Sequence, residues 1–215
     1  MDYNPQDIIK LGTSALSDAM DRLGIPGQAL GIKPVDRNFT LCGPAFTVHN
    51  IPVDQKGGSV GDYIDDVPEG HIVVIDNAGR LDCTVWGDIL TVMGSIRKVG
   101  GTVINGVCRD SARALEVGYP IFSKGTYMRT GKDRVMADAY NTKVSLGEVT
   151  VVPGDFLVGD FDGIVAIPQE RFEEVIKAAR EIEDAEDHIR SSIRNGMSLI
   201  DARTQFNYHA LQTRR

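Results

Sequence analysis

The chain has 215 residues, 42% of them hydrophobic and 25% charged, which is the make-up of an ordinary folded protein and enough length for one good-sized domain. A net charge of −7 and an aromatic content of 7%, with a single tryptophan, argue against nucleic-acid binding and against an anionic membrane surface. No apolar run approaches the roughly 18 residues of a membrane helix, the first twelve residues lack the parts of a signal peptide, and three widely spaced cysteines (Cys42, Cys83, Cys108) fit a reducing cytoplasm better than a disulfide framework or zinc knuckle.

Residues 5–23 are predicted as a helix, with Pro5 in its first turn and Ile8, Ile9, Leu11, Leu16, Met20 and Leu23 on a broad apolar face. A strand over 45–50 and a short helix over 61–66 follow. The β-branched run 71–76 has the pattern of a buried strand. A helix over about 87–99 comes next, with Ile89, Leu90, Val92, Met93 and Ile96 available for packing. A second strand spans 102–105, and Arg109-Asp110-Ser111 opens a helix that ends near Gly118. This alternation predicts parallel strands joined by helices. Short strands over 149–152, 156–158 and 164–167 are separated by Pro153-Gly154-Asp155 and Asp160-Phe161-Asp162-Gly163, and a long helix over about 169–195 stops at Gly196. No boundary interrupts the pattern, so 1–215 is expected to form a single α/β domain with mixed β-sheets.

Familiar cofactor and catalytic signatures are missing: the chain has no Walker A sequence, no GxGxxG after a strand, no GxSxG, and four histidines without zinc-site spacing. What remains is an acidic pattern. Asp88 follows the strand 71–76 and Asp110 follows the strand 102–105. Loops at the carboxyl ends of neighbouring parallel strands share one crevice, so both carboxylates can face one pocket. Carboxylate oxygens completed by water and substrate suit Mg²⁺ or Mn²⁺. Arg109 can hold a substrate carboxylate by two hydrogen bonds, and free N–H groups after Gly87 can bind the same anion. The alternatives are ordinary: both aspartates as helix caps, Arg109–Asp110 as a surface pair, and Trp86 as a packing residue.

The long helix carries an apolar stripe of Phe172, Val175, Ile176, Ala179, Ile182, Ile189 and Ile193, with Glu186 filling its one gap. A carboxylate there needs a partner or ligand, unless the stripe is shallow and the side chain reaches water.

Trp86-Gly87-Asp88-Ile89-Leu90, the run from Gly101 through Arg109-Asp110, and Gly118-Tyr119-Pro120-Ile121-Phe122 together resemble the RraA-like family. That family holds metal-dependent 4-hydroxy-4-methyl-2-oxoglutarate/4-carboxy-4-hydroxy-2-oxoadipate aldolases and regulators of ribonuclease E. The aldolases carry an Asp, twenty residues, then Arg-Asp, which Asp88, Arg109 and Asp110 match without a gap. The resemblance implies a swivelling-type α/β/β/α layered domain in trimers or hexamers. It implies Asp110 as the direct ligand of Mg²⁺ or Mn²⁺ and Asp88 acting through a bound water. Arg109 would bind the carboxylate of a 2-oxo acid, with Gly87, Asp88 and the backbone of Ile89 and Leu90 lining the substrate pocket. A glutamate from a neighbouring subunit's C-terminal helix maps onto Glu186, or onto Glu183. The implied activity is a carbon–carbon lyase that releases pyruvate, with oxaloacetate decarboxylation as a side reaction. The alternative is a non-catalytic regulator that binds ribonuclease E; those relatives lack the acid that stands here as Asp88. Selectivity for the rest of the substrate is expected from 52–66 and 123–134.

Overall fold

A computed structural model describes residues 3–53 and 59–211. The chain opens with α1 (Pro5–Ile9) and α2 (Gly12–Arg22), where the sequence predicts one helix over 5–23. Gly12 adopts a left-handed backbone, with φ +77°, a conformation that glycine takes without steric cost. The new helix start is then capped from far along the chain, since the Asp160 carboxylate accepts from Thr13 N and Thr13 Oγ1, both at 2.7 Å. Apolar periodicity runs straight through Gly12 and gives no sign of the break.

Two short strands, β1 (Gln28–Ala29) and β2 (Lys33–Pro34), lead into the long β3 (Leu41–Pro52). A 3₁₀ turn over Asp62–Asp66 precedes β4 (Ile72–Thr84). Then come α3 (Asp88–Ile96), β5 (Gly101–Val107), α4 (Ser111–Val117) and β6 (Ile121–Ser123). As the sequence predicts, β4 and β5 are parallel, with Val73 opposite Thr102 and Val74 opposite Val103. β6 continues the parallel set. The second half adds β7 (Val135–Tyr140), β8 (Val144–Leu146), β9 (Val149–Val151), β10 (Phe156–Asp160) and β11 (Gly163–Ile167). A 3₁₀ turn over Gln169–Arg171 leads into α5 (Phe172–Arg194), followed by the unpredicted α6 (Leu199–Gln205) and α7 (Tyr208–Leu211).

Among the described residues, nine strands form a large mixed sheet in the order β1-β11-β10-β3-β4-β5-β6-β2, with β7 paired to β3, and β8 pairs antiparallel with β9 in a separate two-stranded sheet. β3 is its hub. Its start pairs antiparallel with β10, its middle pairs parallel with β4, and its end pairs antiparallel with β7. Leu16, Met20, Val175 and Ile182 of α2 and α5 pack on Phe156 and Ile167 of β10 and β11. A second core gathers Ile72, Ile75, Ile104, Phe122 and Trp86 around the parallel strands. The architecture is α/β, with helices against a mixed sheet.

One departure from prediction positions the site. The strand predicted over 71–76 runs on to Thr84, with irregular pairing between Asp76 and Arg80 and again before Thr84. Asp76 is buried and holds the irregularity: its carboxylate accepts from Ala78 N at 2.9 Å, Asn105 Nδ2 at 3.0 Å and Ser145 N at 3.0 Å. The extension lays Thr84 beside Val107, so the turns that follow β4 and β5 start side by side.

Candidate functional site

Trp86-Gly87-Asp88 leaves β4 and Cys108-Arg109-Asp110 leaves β5. Arg109 N donates to Trp86 O at 3.0 Å and ties the two turns together. Asp110 sits at the N-cap position of α4 in a left-handed conformation (φ 55°, ψ 34°), and its side chain makes no capping hydrogen bond. A non-glycine residue held there is uncommon and carries a backbone cost. Its carboxylate turns instead toward the other strand's turn. Asp110 Oδ2 lies 3.2 Å from Arg109 Nε and accepts from Asp88 N at 3.3 Å. Gly87 makes room for this. Its backbone is extended, so the requirement is space: a Cβ there would stand 2.9 Å from Asp110 Oδ2 and 3.2 Å from Arg109 Nε.

The structure thus brings Gly87, Asp88, Arg109 and Asp110 together. Asp88 is the first residue of α3, and its Oδ1 accepts from Ile89 N at 2.8 Å. The amides of Asp88 and Ile89 are therefore already met by carboxylates, and the expectation that they stand free is corrected: an incoming anion has to displace those oxygens. The capping alternative fails for Asp110, while Asp88 does make a first-turn contact of that kind. The Arg109 and Asp110 side chains are 39% and 42% exposed, so their ion pair adds little stability. Trp86 is the packing residue: it is buried, its Nε1 donates to Thr91 Oγ1 at 2.9 Å, and its ring stacks on Tyr119. Burial also pushes the Tyr119 phenol well above its ordinary pKa, leaving it protonated in the core.

Trp86, Gly87, Asp88 and Arg109 border a cleft of about 670 Å³, and Asp110 stands behind Arg109 and Asp88 rather than on its lining. Asp88, Ile89, Leu90 and Arg109 line it, as do residues of the segment 59–65 and Thr130. The regions 52–66 and 123–134 thus contribute walls, although 54–58 lie outside the described residues. Two features of the cleft escaped the sequence reading. Asp62 and Asp65 of the 3₁₀ turn stand on its wall. And α3 does not pack with all its apolar residues: Leu90 and Met93 rest against the core, whereas Ile89 is 79% and Ile96 72% exposed, with Val92 between them. The spacing 89, 92, 96 is one helical stripe, but nothing in the sequence distinguishes it from the neighbouring packed stripe.

Glu186 does not join this site within the chain. It projects from α5, where Arg190 Nη1 donates to Glu186 Oε2 at 3.1 Å while Arg190 Nη2 contacts Glu183 Oε1 and, at 2.8 Å, Asp187 Oδ1. The apolar stripe of α5 is buried from Phe172 to Ile189, with Ile193 partly exposed. Glu186 is half-buried in its gap, and the guanidinium one turn away supplies the partner such a position requires. Among the described residues, no three His, Cys, Asp or Glu side chains are grouped to hold a metal. Asp110 and Asp88 offer carboxylate oxygen alone. That donor chemistry fits Mg²⁺ or Mn²⁺, which take one or two carboxylates and complete their shell with water and substrate.

A family model described as RraA-like, Aldolase/RraA, matches residues 13–166. "Protein DlpA" of Legionella pneumophila is 37% identical over 206 residues, 94% of this chain. The chain spans only about a third, 34%, of that relative's length. A protein of Halalkalibacterium halodurans named "Putative 4-hydroxy-4-methyl-2-oxoglutarate aldolase" is 33% identical over 83% of this chain and 82% of its own. Among solved structures, an uncharacterized protein from Pseudomonas syringae pv. tomato matches with a TM-score of 0.84 and 39% identity, covering 94% of this chain and all of that one (100%). Streptomyces coelicolor RraAS2, described as an unusual member of the RNase ES inhibitor RraA protein family, shares the fold, with a TM-score of 0.77 and 24% identity over 88% of this chain and 98% of that one. By the reach of the family match and the identity to the Halalkalibacterium protein, the chain belongs to the RraA-like family.

Proposed function

We propose that the chain is a divalent-metal-dependent carbon–carbon lyase that cleaves a 4-hydroxy-2-oxo acid and releases pyruvate, with oxaloacetate decarboxylation as a second activity. The observation that carries this reading is Asp110, held left-handed, making no cap, and turned toward Asp88 and Arg109 beside a cleft. Mg²⁺ or Mn²⁺ held by Asp110 would supply Lewis-acid polarisation of the keto group.

The remaining roles fall to the chain's own side chains. Arg109 directs Nε at Asp110 and presents its other N–H groups to the substrate carboxylate. Asp88 orients the water that takes the proton from the C4 hydroxyl. The C3–C4 bond then breaks, C4 becomes the carbonyl carbon of the departing product, and the electron pair stays on C3 as an enolate. Arg109, in holding the carboxylate, would also stabilise the enolate charge. Protonation at C3 yields pyruvate. Oxaloacetate reaches the same enolate by losing carbon dioxide.

The active assembly in this proposal is a homotrimer or hexamer in which Glu186, or Glu183, reaches a neighbour's metal through water. A pyruvate-release assay on 4-hydroxy-2-oxo acids and oxaloacetate, with added Mg²⁺ or Mn²⁺ and with excess chelator, tests the activity. Release that chelator abolishes and metal restores is expected. No release from any of these acids would leave the ribonuclease E regulator reading in its place.

A further inference from the structure

We infer that the half of the substrate leaving as the carbonyl product is uncharged and apolar, so that the chain acts on 4-hydroxy-2-oxo monocarboxylic acids bearing an alkyl or aryl group at C4. This rests on the lyase reading above, and it separates the chain from relatives named for 4-hydroxy-4-methyl-2-oxoglutarate, whose leaving half carries a second carboxylate.

The first observation is the charge of the cleft wall. Among the described residues lining it, Arg109 is the one cation, and the lyase reading assigns it to the pyruvate-half carboxylate. The wall's acids are Asp62, Asp65 and Asp88. Neither Asp62 nor Asp65 has an ion-pair partner among the described residues, and both are exposed toward solvent. Arg134 does not line the cleft; its Nη1 donates to Thr130 O at 3.3 Å and Lys132 O at 3.2 Å. A second carboxylate in the cleft would therefore meet two unpaired like charges, with no second cation among the described lining residues.

The second observation is the wall's chemistry. Val60, Ile64, Leu90, Met93 and Ile96 make its surface largely carbon. Leu90 is pressed against Gly61, where a Cβ would lie 2.8 Å from Leu90 Cδ2, so the 3₁₀ turn and α3 close on each other as one apolar wall. The cleft, at about 670 Å³, is far larger than a pyruvate unit needs and lies within the roughly 300–1,000 Å³ of small-molecule sites, whose affinity comes chiefly from apolar burial.

The experiment compares kcat/KM for pyruvate release from 4-hydroxy-2-oxo acids carrying isobutyl or phenyl at C4 with that from 4-hydroxy-4-methyl-2-oxoglutarate, under saturating Mg²⁺ or Mn²⁺. The apolar substrates should lead by about tenfold or more. The Asp62→Lys/Asp65→Lys double variant should move the ratio toward the dicarboxylate. A wild-type preference for the dicarboxylate would overturn this inference and leave the lyase reading standing. Pyruvate from none of the substrates would overturn the lyase reading, and this inference with it. A ratio unmoved in a double variant of native circular dichroism would remove the charged wall as the cause of selectivity. The wild-type comparison stands by itself if that variant does not fold.

Discussion

Asp110 Oδ2 accepts a hydrogen bond from Asp88 N at 3.3 Å across 22 residues of sequence, which joins the turns that follow two adjacent parallel strands. Gly87 is the residue that permits this approach, because a Cβ there would press on Asp110 Oδ2 at 2.9 Å. Gly87→Ala should therefore displace the carboxylate while the extended backbone tolerates the new residue. A displacement of this kind costs up to about a hundredfold in rate. The check is kcat/KM alongside Mn²⁺ affinity by titration; a variant with wild-type values in both would show that the close approach is unimportant.

Asp110→Asn is the cleanest removal of charge. Asn adopts the left-handed region as readily as Asp, so the backbone at φ 55° is preserved. The lost ion pair is exposed and worth at most about 1 kcal/mol. Thermal unfolding should shift by only a few degrees, on the order expected for such a change. Metal-dependent pyruvate release should disappear. Wild-type activity in this variant, or wild-type enzyme fully active in excess chelator, would end the metal-lyase reading.

Arg109→Lys keeps the positive charge but loses the fork that meets a carboxylate at two points. The drop should appear in kcat/KM for every 2-oxo acid tested, because the pyruvate half is common to all of them. If Arg109→Ala matched the wild type, the substrate carboxylate would have to be bound elsewhere.

Glu186 is paired to Arg190 within its own helix at 3.1 Å, so a role in a neighbour's site requires that pair to form part of the interface. Complementation distinguishes the two situations. Inactive Asp110→Asn and Glu186→Gln chains, unfolded together and reassembled, should regain part of the activity if sites are shared, since some interfaces then combine two wild-type residues. Mixed oligomers without recovered activity would confine Glu186 to its pairing with Arg190.

The sequence by itself determined the parallel β4–β5 pairing, the helices that follow each of these strands, and the amphipathic course of α5, because each rests on local periodicity and on connections too short to allow other topologies. It also pointed to the grouping of Asp88 with Arg109 and Asp110, with helix capping as the alternative, since residues leaving the carboxyl ends of adjacent parallel strands emerge together. Local patterns did not reveal the break at Gly12, whose cap is supplied by Asp160 from β10. Nor did they reveal the extension of β4 to Thr84, which depends on Asp76 bonding to Asn105 and Ser145. Tertiary structure alone decided that Asp110 turns its carboxylate away from its own helix, that Ile89 and Ile96 face outward while Leu90 and Met93 pack, and that Glu186 meets Arg190. The physical reason is shared by all of these: a helix phase or an acidic residue specifies a direction and a charge, but its partner is set by the segment folded against it, and that segment is distant in the chain.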